Sequence, residues 1–222
     1  MIPLRSTERI YSPATVTASL IAVNVVIFLY QATLPANALD IFVRQWGIVP
    51  DHLFLPSLFT SMFLHGGWLH LLGNMLYLWV FGRNVEDLIG SGRFLLFYLL
   101  CGLASAVVHV IFNAYSRVPT IGASGAIAGV MGAYLVKFPK ARIVTLVTVF
   151  LFITTMEIPA AFLLVFWFAI QFFSGFGSLG EADYSGGGTA WFAHIGGFLV
   201  GMLLIRMFPP RRRWRAWYME EE

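Results

Sequence analysis

Long apolar runs separated by short polar segments dominate the pattern along this chain. A helix needs roughly 17 to 25 apolar residues to cross a bilayer, and six runs meet that length: 15–33, 66–85, 92–113, 122–138, 157–174 and 189–208. Two other apolar stretches, 53–64 and 143–156, are too short or too close to a neighbouring run to cross separately. We expect both to lie at the membrane interface, or the second to prolong the fifth helix.

Composition agrees with a membrane environment. Of the 222 residues, 59% are hydrophobic and 11% are charged, and the mean hydropathy is +0.78. A soluble domain carries about 25% charged residues, so this composition excludes a water-soluble surface. The single cysteine, Cys101, lies inside an apolar run and excludes an internal disulfide.

The basic residues predict the orientation of the six spans. If the chain starts in the cytoplasm, only Arg44 and Arg117 fall outside, and the other twelve of the 14 fall on the cytoplasmic side: Arg5, Arg9, Arg83, Arg93, Lys137, Lys140, Arg142, Arg206, Arg211, Arg212, Arg213 and Arg215. The excess of positive charge on cytoplasmic loops therefore places both termini in the cytoplasm. Anionic lipid headgroups explain the Arg-rich tail better than nucleic acid does. We expect one all-α domain over 1–222, with a six-helix core at about 12–208 and a basic tail at 209–222.

Few polar side chains lie inside the predicted spans. Polar groups at membrane depth are costly and are functional candidates by default. The candidates in spans 2, 3, 4 and 6 are His70 and Asn74, His109, Ser124 and His194, respectively. Spans 2, 4 and 6 all run inward, and at 1.5 Å per residue their polar groups lie within roughly 10 Å of the outer end. No polar neighbour marks His109, so we expect an interfacial or structural histidine there.

Small residues indicate that spans 4 and 6 pack closely. Ala128 and Gly132 continue the helix face of Ser124, beside Gly125 and Gly129, while Gly197 and Gly201 continue the face of His194. Such stripes let helix backbones approach in lipid. Helix packing with an incidental serine is one interpretation, but the matching depth of the two groups favours a Ser–His pair.

A Ser–His pair has an evident chemistry. Neutral histidine can take the proton from a serine hydroxyl and make it a nucleophile. Apart from residues at span ends, no carboxylate is available to orient the ring, so the pair would act as a dyad. Asn74 and His70 lie four residues apart on one helix face and can donate to a developing oxyanion. The alternative for Asn74 is an interhelical hydrogen bond that only stabilises the bundle.

Four segments resemble the rhomboid family of intramembrane serine proteases: GASG at 122–125, AHIGGFLVG at 193–201, HGGWLHLLGNM at 65–75 and GRNVED at 82–87. The resemblance implies that Ser124 is the nucleophile and His194 the general base. It places Asn74, His70 and the Ser124 backbone N–H in the oxyanion hole, with at most a supporting role for His65. It further implies transmembrane protein substrates in a lipid bilayer and no metal or other cofactor.

The resemblance also implies that span 5 is a lateral gate. We expect its bulky residues to fill space against span 2, with Gln171 as the one polar anchor among Phe162, Phe166, Trp167, Phe172 and Phe173. We expect a multi-pass protein of a prokaryotic plasma membrane. A rhomboid-like protein that binds membrane clients without cutting them is the alternative function.

Two positions depart from the family's pattern. Many members carry an aromatic residue four positions after the nucleophile, and here it is Ala128, so the histidine must be held in another way. Pro56-Ser57 stands where many members have a Trp-Arg pair in the first loop. The first departure concerns the active site, and the second concerns only the fold of the loop.

Overall fold

A bundle of helices forms the main body of the molecule in the computed structural model, which describes residues 2–149, 152–178 and 190–211. The helices are α1 (Thr15–Thr33), α2 (Ala36–Trp46), α3 (Ser57–Thr60), α4 (Trp68–Tyr77), α5 (Arg83–Ile89), α6 (Ser91–Phe112), α7 (Ser124–Lys137), α8 (Ala160–Ser178) and α9 (Trp191–Leu204). A π-helical turn over Leu78–Gly82 joins α4 to α5, so residues 68–89 form one helical segment.

The helical segments overlap the predicted spans; α1 has the predicted bounds, while α7 and α9 are shorter than predicted. Three are long and apolar enough to cross a membrane by length and composition: α1, α6 and Ala160–Gly177 of α8. Helix α7 and the segment Trp191–Met207 are apolar but shorter. Outward-facing side chains are large and apolar, including Leu69, Ile111 and Phe173, which are 86%, 67% and 74% exposed. An apolar outer surface of this kind is suited to lipid.

Helices α7 and α9 pack backbone to backbone through the glycines of both stripes. A Cβ added to Gly197 would overlap the carbonyl oxygen of Gly125, and one added to Gly201 would overlap that of Gly129. Only glycine allows two helices to come this close. The prediction that spans 4 and 6 pack along these stripes is confirmed.

A buried carboxylate fixes the start of α1. Glu86 accepts hydrogen bonds from the backbone N–H groups of Val16 and Thr17, at 2.9 and 2.8 Å, and from the Thr17 hydroxyl at 2.7 Å. Backbone N–H groups in the first turn of a helix lack intrahelical partners and favour a negative charge. Glu86 therefore supports the bundle rather than the candidate site.

The prediction of an all-α chain is wrong for residues 142–149 and 152–159. These residues form the strands β2 (Arg142–Val149) and β3 (Phe152–Pro159), which pair antiparallel, and β2 also pairs antiparallel with an N-terminal strand, β1 (Ile2–Ser6). The sequences RIVTLVTV and FITTMEIP are rich in β-branched residues, which favour strands. Ser6 Oγ lies 2.6 Å from the Tyr134 hydroxyl and ties the sheet to α7.

The sheet also corrects the start of the fifth span. The predicted run begins at Glu157, but β3 continues to Pro159 and α8 begins at Ala160. Proline disfavours helical backbone at the residue before it. In the first loop, which was not expected to cross separately, residues 53–64 contain α3 and a short 3₁₀ turn, Ser61–Phe63. The predicted start of span 6 at residue 189 and most of the basic tail, 212–222, lie outside the described residues.

Candidate active site

A cavity of about 590 Å³ opens where the first turns of three helices meet. His70 is the third residue of α4, Ser124 the first of α7 and His194 the fourth of α9, and all three line the cavity together with Asn74. The glycine contacts between α7 and α9 bring two of these helix starts together. All four predicted site residues therefore surround one space.

The Ser124 hydroxyl and the His194 imidazole are in hydrogen-bond contact. Ser124 Oγ lies 2.7 Å from His194 Nε2. His194 is 8% exposed, and Ser124 is half-buried and reaches the cavity. A nucleophile within 3.2 Å of its base is the geometry that proton abstraction needs. Since Ser124 begins α7, the free N–H groups of that helix also lie beside it.

A third side chain, which the sequence did not assign to the site, contacts the other nitrogen of the histidine. Gln171 Oε1 on α8 lies 2.7 Å from His194 Nδ1. Gln171 is 6% exposed, so this contact is shielded from water. The signal in the sequence was the position of Gln171 as a polar residue among the aromatic side chains of span 5, which was interpreted only as an anchor.

Asn74 presents an unused donor to the cavity. Its side chain is 8% exposed, and Nδ2 has no hydrogen-bond partner among the residues that the structure describes. A buried amide without a partner costs about 1–3 kcal/mol, and such groups call for an explanation in terms of function or an additional ligand. No interhelical hydrogen bond from Nδ2 is formed within that part of the chain.

His70 and Gly122 form the wall next to Asn74. Gly66 N–H donates to His70 Nδ1 at 3.4 Å, which leaves the proton of the neutral ring on Nε2. Gly122 has a φ of +129°, and a Cβ there would lie 2.8 Å from His70 Nε2. Only glycine combines this backbone conformation with such close contact. The first glycine of GASG thus makes room for the His70 ring.

His109 and His65 do not line the cavity. His109 Nε2 lies 2.8 Å from Thr120 Oγ1, and its Nδ1 lies 3.3 Å from Asn113 Nδ2, which fits the predicted structural role. These two neighbours were not recognised from the sequence. The His65 ring packs edge-on against His70, with centroids 5.1 Å apart, and both of its nitrogens lack partners within the described part of the chain.

The bulky residues of α8 do not fill the space against α4 as predicted. Phe162, Phe166 and Phe173 are between 51% and 74% exposed. Instead, α8 packs on α9, where the rings of Phe168 and Phe198 stack 4.8 Å apart. Trp167 alone of the predicted set lines the cavity, with its ring centroid 5.8 Å from that of His194. Aromatic side chains of α8 therefore stack on α9, whereas the sequence predicted that they would pack against span 2.

Within residues 2–149, 152–178 and 190–211, no group of three or more His, Cys, Asp or Glu side chains could hold a metal ion. The absence of a metal cofactor stays a prediction from the family resemblance.

Comparison with known proteins shows the family to which the chain belongs. The family model described as the Rhomboid domain matches residues 54–211, and the chain therefore belongs to the rhomboid family of integral membrane proteins. The match begins in the loop before α3 and ends at Arg211, so it includes every residue that lines the cavity.

Individual relatives come from bacteria and from mitochondria. The chain is 47% identical over 78 residues to "Rhomboid protease GluP" of Bacillus subtilis, covering 35% of this chain and 15% of that protein. It is 29% identical over 206 residues to "Rhomboid protein 1, mitochondrial" of Saccharomyces cerevisiae, covering 86% and 52%. It is 33% identical over 159 residues to "RHOMBOID-like protein 6, mitochondrial" of Arabidopsis thaliana, covering 71% and 45%. The chain thus spans about half the length of these relatives, or less.

Proposed function

We propose that the protein is an intramembrane serine endopeptidase that cuts transmembrane or membrane-proximal segments with Ser124 and His194. The observation that carries the proposal is the 2.7 Å contact between Ser124 Oγ and His194 Nε2, within a cavity that also holds the unpartnered amide of Asn74. The name of one relative, a rhomboid protease, supports the same activity.

The catalytic cycle follows from the geometry. His194 Nε2 takes the Ser124 proton while Oγ attacks the peptide carbonyl carbon. The new oxyanion accepts hydrogen bonds from Asn74 Nδ2, His70 Nε2 and the Ser124 backbone N–H, which are donors fixed in advance of the reaction. His194 then gives its proton to the leaving amine. Water, activated by the same ring, hydrolyses the acyl-enzyme and regenerates Ser124.

We propose that the chain crosses the membrane six times with both termini in the cytoplasm. In that orientation the cavity faces the outer side of the membrane. The short helices α7 and α9 would be framed by α1, α6 and α8, which have the length of a full crossing. The location in a prokaryotic plasma membrane stays a prediction, because the relatives include mitochondrial proteins.

A fluorophosphonate probe and a model transmembrane substrate test this proposal in the detergent-purified full chain. The wild-type protein should react with the probe at Ser124 and release two fragments of the substrate. Ser124→Ala and His194→Ala should each lower kcat by about 10⁴-fold or more, with a Tm near that of wild type. Full activity in either purified variant would reject the dyad.

A further inference from the structure

We propose that Gln171 is a positioning residue that holds His194 in the tautomer needed by a general base. The inference rests on the proposed function, because it assigns to α8 a part in the same site. Gln171 Oε1 lies 2.7 Å from His194 Nδ1, on the opposite side of the ring from Ser124.

The chemistry of the amide oxygen fixes the proton on the ring. A carbonyl oxygen only accepts hydrogen bonds, so the neutral ring must carry its proton on Nδ1 to donate to Gln171. Nε2 then has a free lone pair directed at the Ser124 hydroxyl. In the other tautomer, Nε2–H would face Ser124 and could not take its proton. A wrong tautomer of the catalytic histidine lowers kcat by about 10⁴ in a serine protease.

Burial makes the tautomer preference strong. Gln171 and His194 are 6% and 8% exposed. At such a site little water is available to replace the amide oxygen, and leaving a buried donor unpaired is unfavourable. The Trp167 ring, 5.8 Å from the imidazole and inclined by 39°, limits rotation of His194 without supplying an acceptor.

Gln171 also explains how the histidine is held beside Ala128. The alanine is fully buried and offers the ring no aromatic surface. Gln171 reaches the ring from α8 instead, one turn beyond Trp167 on the same helix. The orientation of the base therefore depends on α8 lying against α9. A movement of α8 away from α9 would remove the acceptor and leave His194 free to change tautomer.

Substitution and nitrogen NMR together test the inference in the detergent-purified full chain. Gln171→Met keeps the length of the side chain and removes the acceptor, and it should lower kcat by about 10- to 100-fold, the range found when a group that orients a metal-binding histidine is removed. KM should change little, because Gln171 is not among the residues that line the cavity. Gln171→Glu keeps an accepting oxygen and should restore kcat toward the wild-type value.

The matched control is Asn24→Leu, which replaces a buried amide of α1 whose side chain bonds to the Leu20 carbonyl. This variant should keep the wild-type kcat. In ¹⁵N-histidine spectra, the signals of His194 are assigned as those missing from the spectrum of His194→Ala. In the wild type, Nδ1 of this residue should be protonated and Nε2 unprotonated. Gln171→Met should lose that preference.

The outcomes separate this inference from the proposed function. A wild-type protein that neither reacts with the probe nor cuts substrate would reject the protease proposal, while the nitrogen spectra would still report the tautomer. An active wild type together with full kcat in Gln171→Met would reject the role of Gln171 alone. A dominant Nε2–H tautomer in the wild type would reject it as well, even if the Met variant failed to fold.

Discussion

The amide nitrogen of Asn74 lies in the cavity wall with no hydrogen-bond partner in the described part of the chain. If this donor serves the oxyanion, it acts in the transition state and hardly at all in the ground state. Asn74→Ala should then lower kcat by about 100- to 1,000-fold, the loss typical of one oxyanion donor, with little change in KM. Steady-state kinetics, scaled by the fraction of molecules that the probe labels, measure this.

Asn24→Ala is the control for Asn74→Ala, because it also removes a buried amide but lies in α1, away from the cavity lining. It should lower Tm at most and leave kcat per labelled molecule unchanged. If Asn74→Ala behaved in the same way, Asn74 would have a role in stability alone.

At the scale of residues, sequence reasoning identified the polar groups that share the cavity. It missed Gln171, which contacts His194 from α8. His70, Asn74, Ser124 and His194 stand out because each is polar inside an apolar span of the same direction. Gln171 is also polar, and it is as deeply buried as Asn74 and His194. Which side chain Gln171 contacts depends on the face that α8 turns toward α9. That face is determined by aromatic stacking such as that of Phe168 on Phe198. Aromatic residues occur on several faces of α8, so the sequence does not reveal this rotation.

At the scale of elements, the contact between α7 and α9 determines the distance between nucleophile and base. Gly197→Ala would place a methyl group on the carbonyl oxygen of Gly125, the residue next to Ser124. The helices would have to separate, at a cost of about 1–3 kcal/mol for an overpacked core. Since a misplacement of about 1 Å can cost about 100-fold in rate, we expect both a lower Tm and a lower kcat per folded molecule.

Gly92→Ala in α6 provides the matched control, because an added Cβ there meets no atom within 4 Å. Alanine is the better helix former, so this variant should keep or raise Tm and keep kcat. Thermal unfolding and substrate cleavage, measured on both variants, separate close packing from a general effect of losing a glycine. Equal Tm and kcat in the two variants would contradict the packing argument.

The sheet could not be predicted by identifying apolar spans along the sequence. Hydropathy treats RIVTLVTV and FITTMEIP as one apolar run, although their Val, Ile and Thr residues favour strands. The third strand, β1, comes from residues 2–6, more than 130 positions away along the chain. Pairing over that distance depends on the folded bundle, which brings Ser6 to Tyr134. The local sequence gives a hint of the hairpin and none of its partner strand.

At the scale of the whole molecule, the starts of α4, α7 and α9 meet at one end of the bundle. Periodicity and charge predicted this arrangement because both follow from crossing a bilayer. Glu86 was missed as a support because it lies one residue beyond the predicted end of span 2, yet it binds the start of α1. The predicted gate contact was wrong because Phe162, Phe166 and Phe173 point outward. Apolar surface can face lipid or protein equally well, so composition alone does not decide between them.

A protease and a client-binding protein predict different outcomes for the substrate when the serine is replaced by alanine. Ser124→Ala removes one oxygen and leaves the cavity, α8 and the first loop in place. If the protein is a protease, the variant should hold intact substrate, seen as a crosslink or a co-purifying band, where the wild type releases two fragments. The assay uses detergent-purified protein and substrates with small residues near the outer membrane face. Intact substrate held equally by both proteins, across several such substrates, would favour a client-binding function over proteolysis.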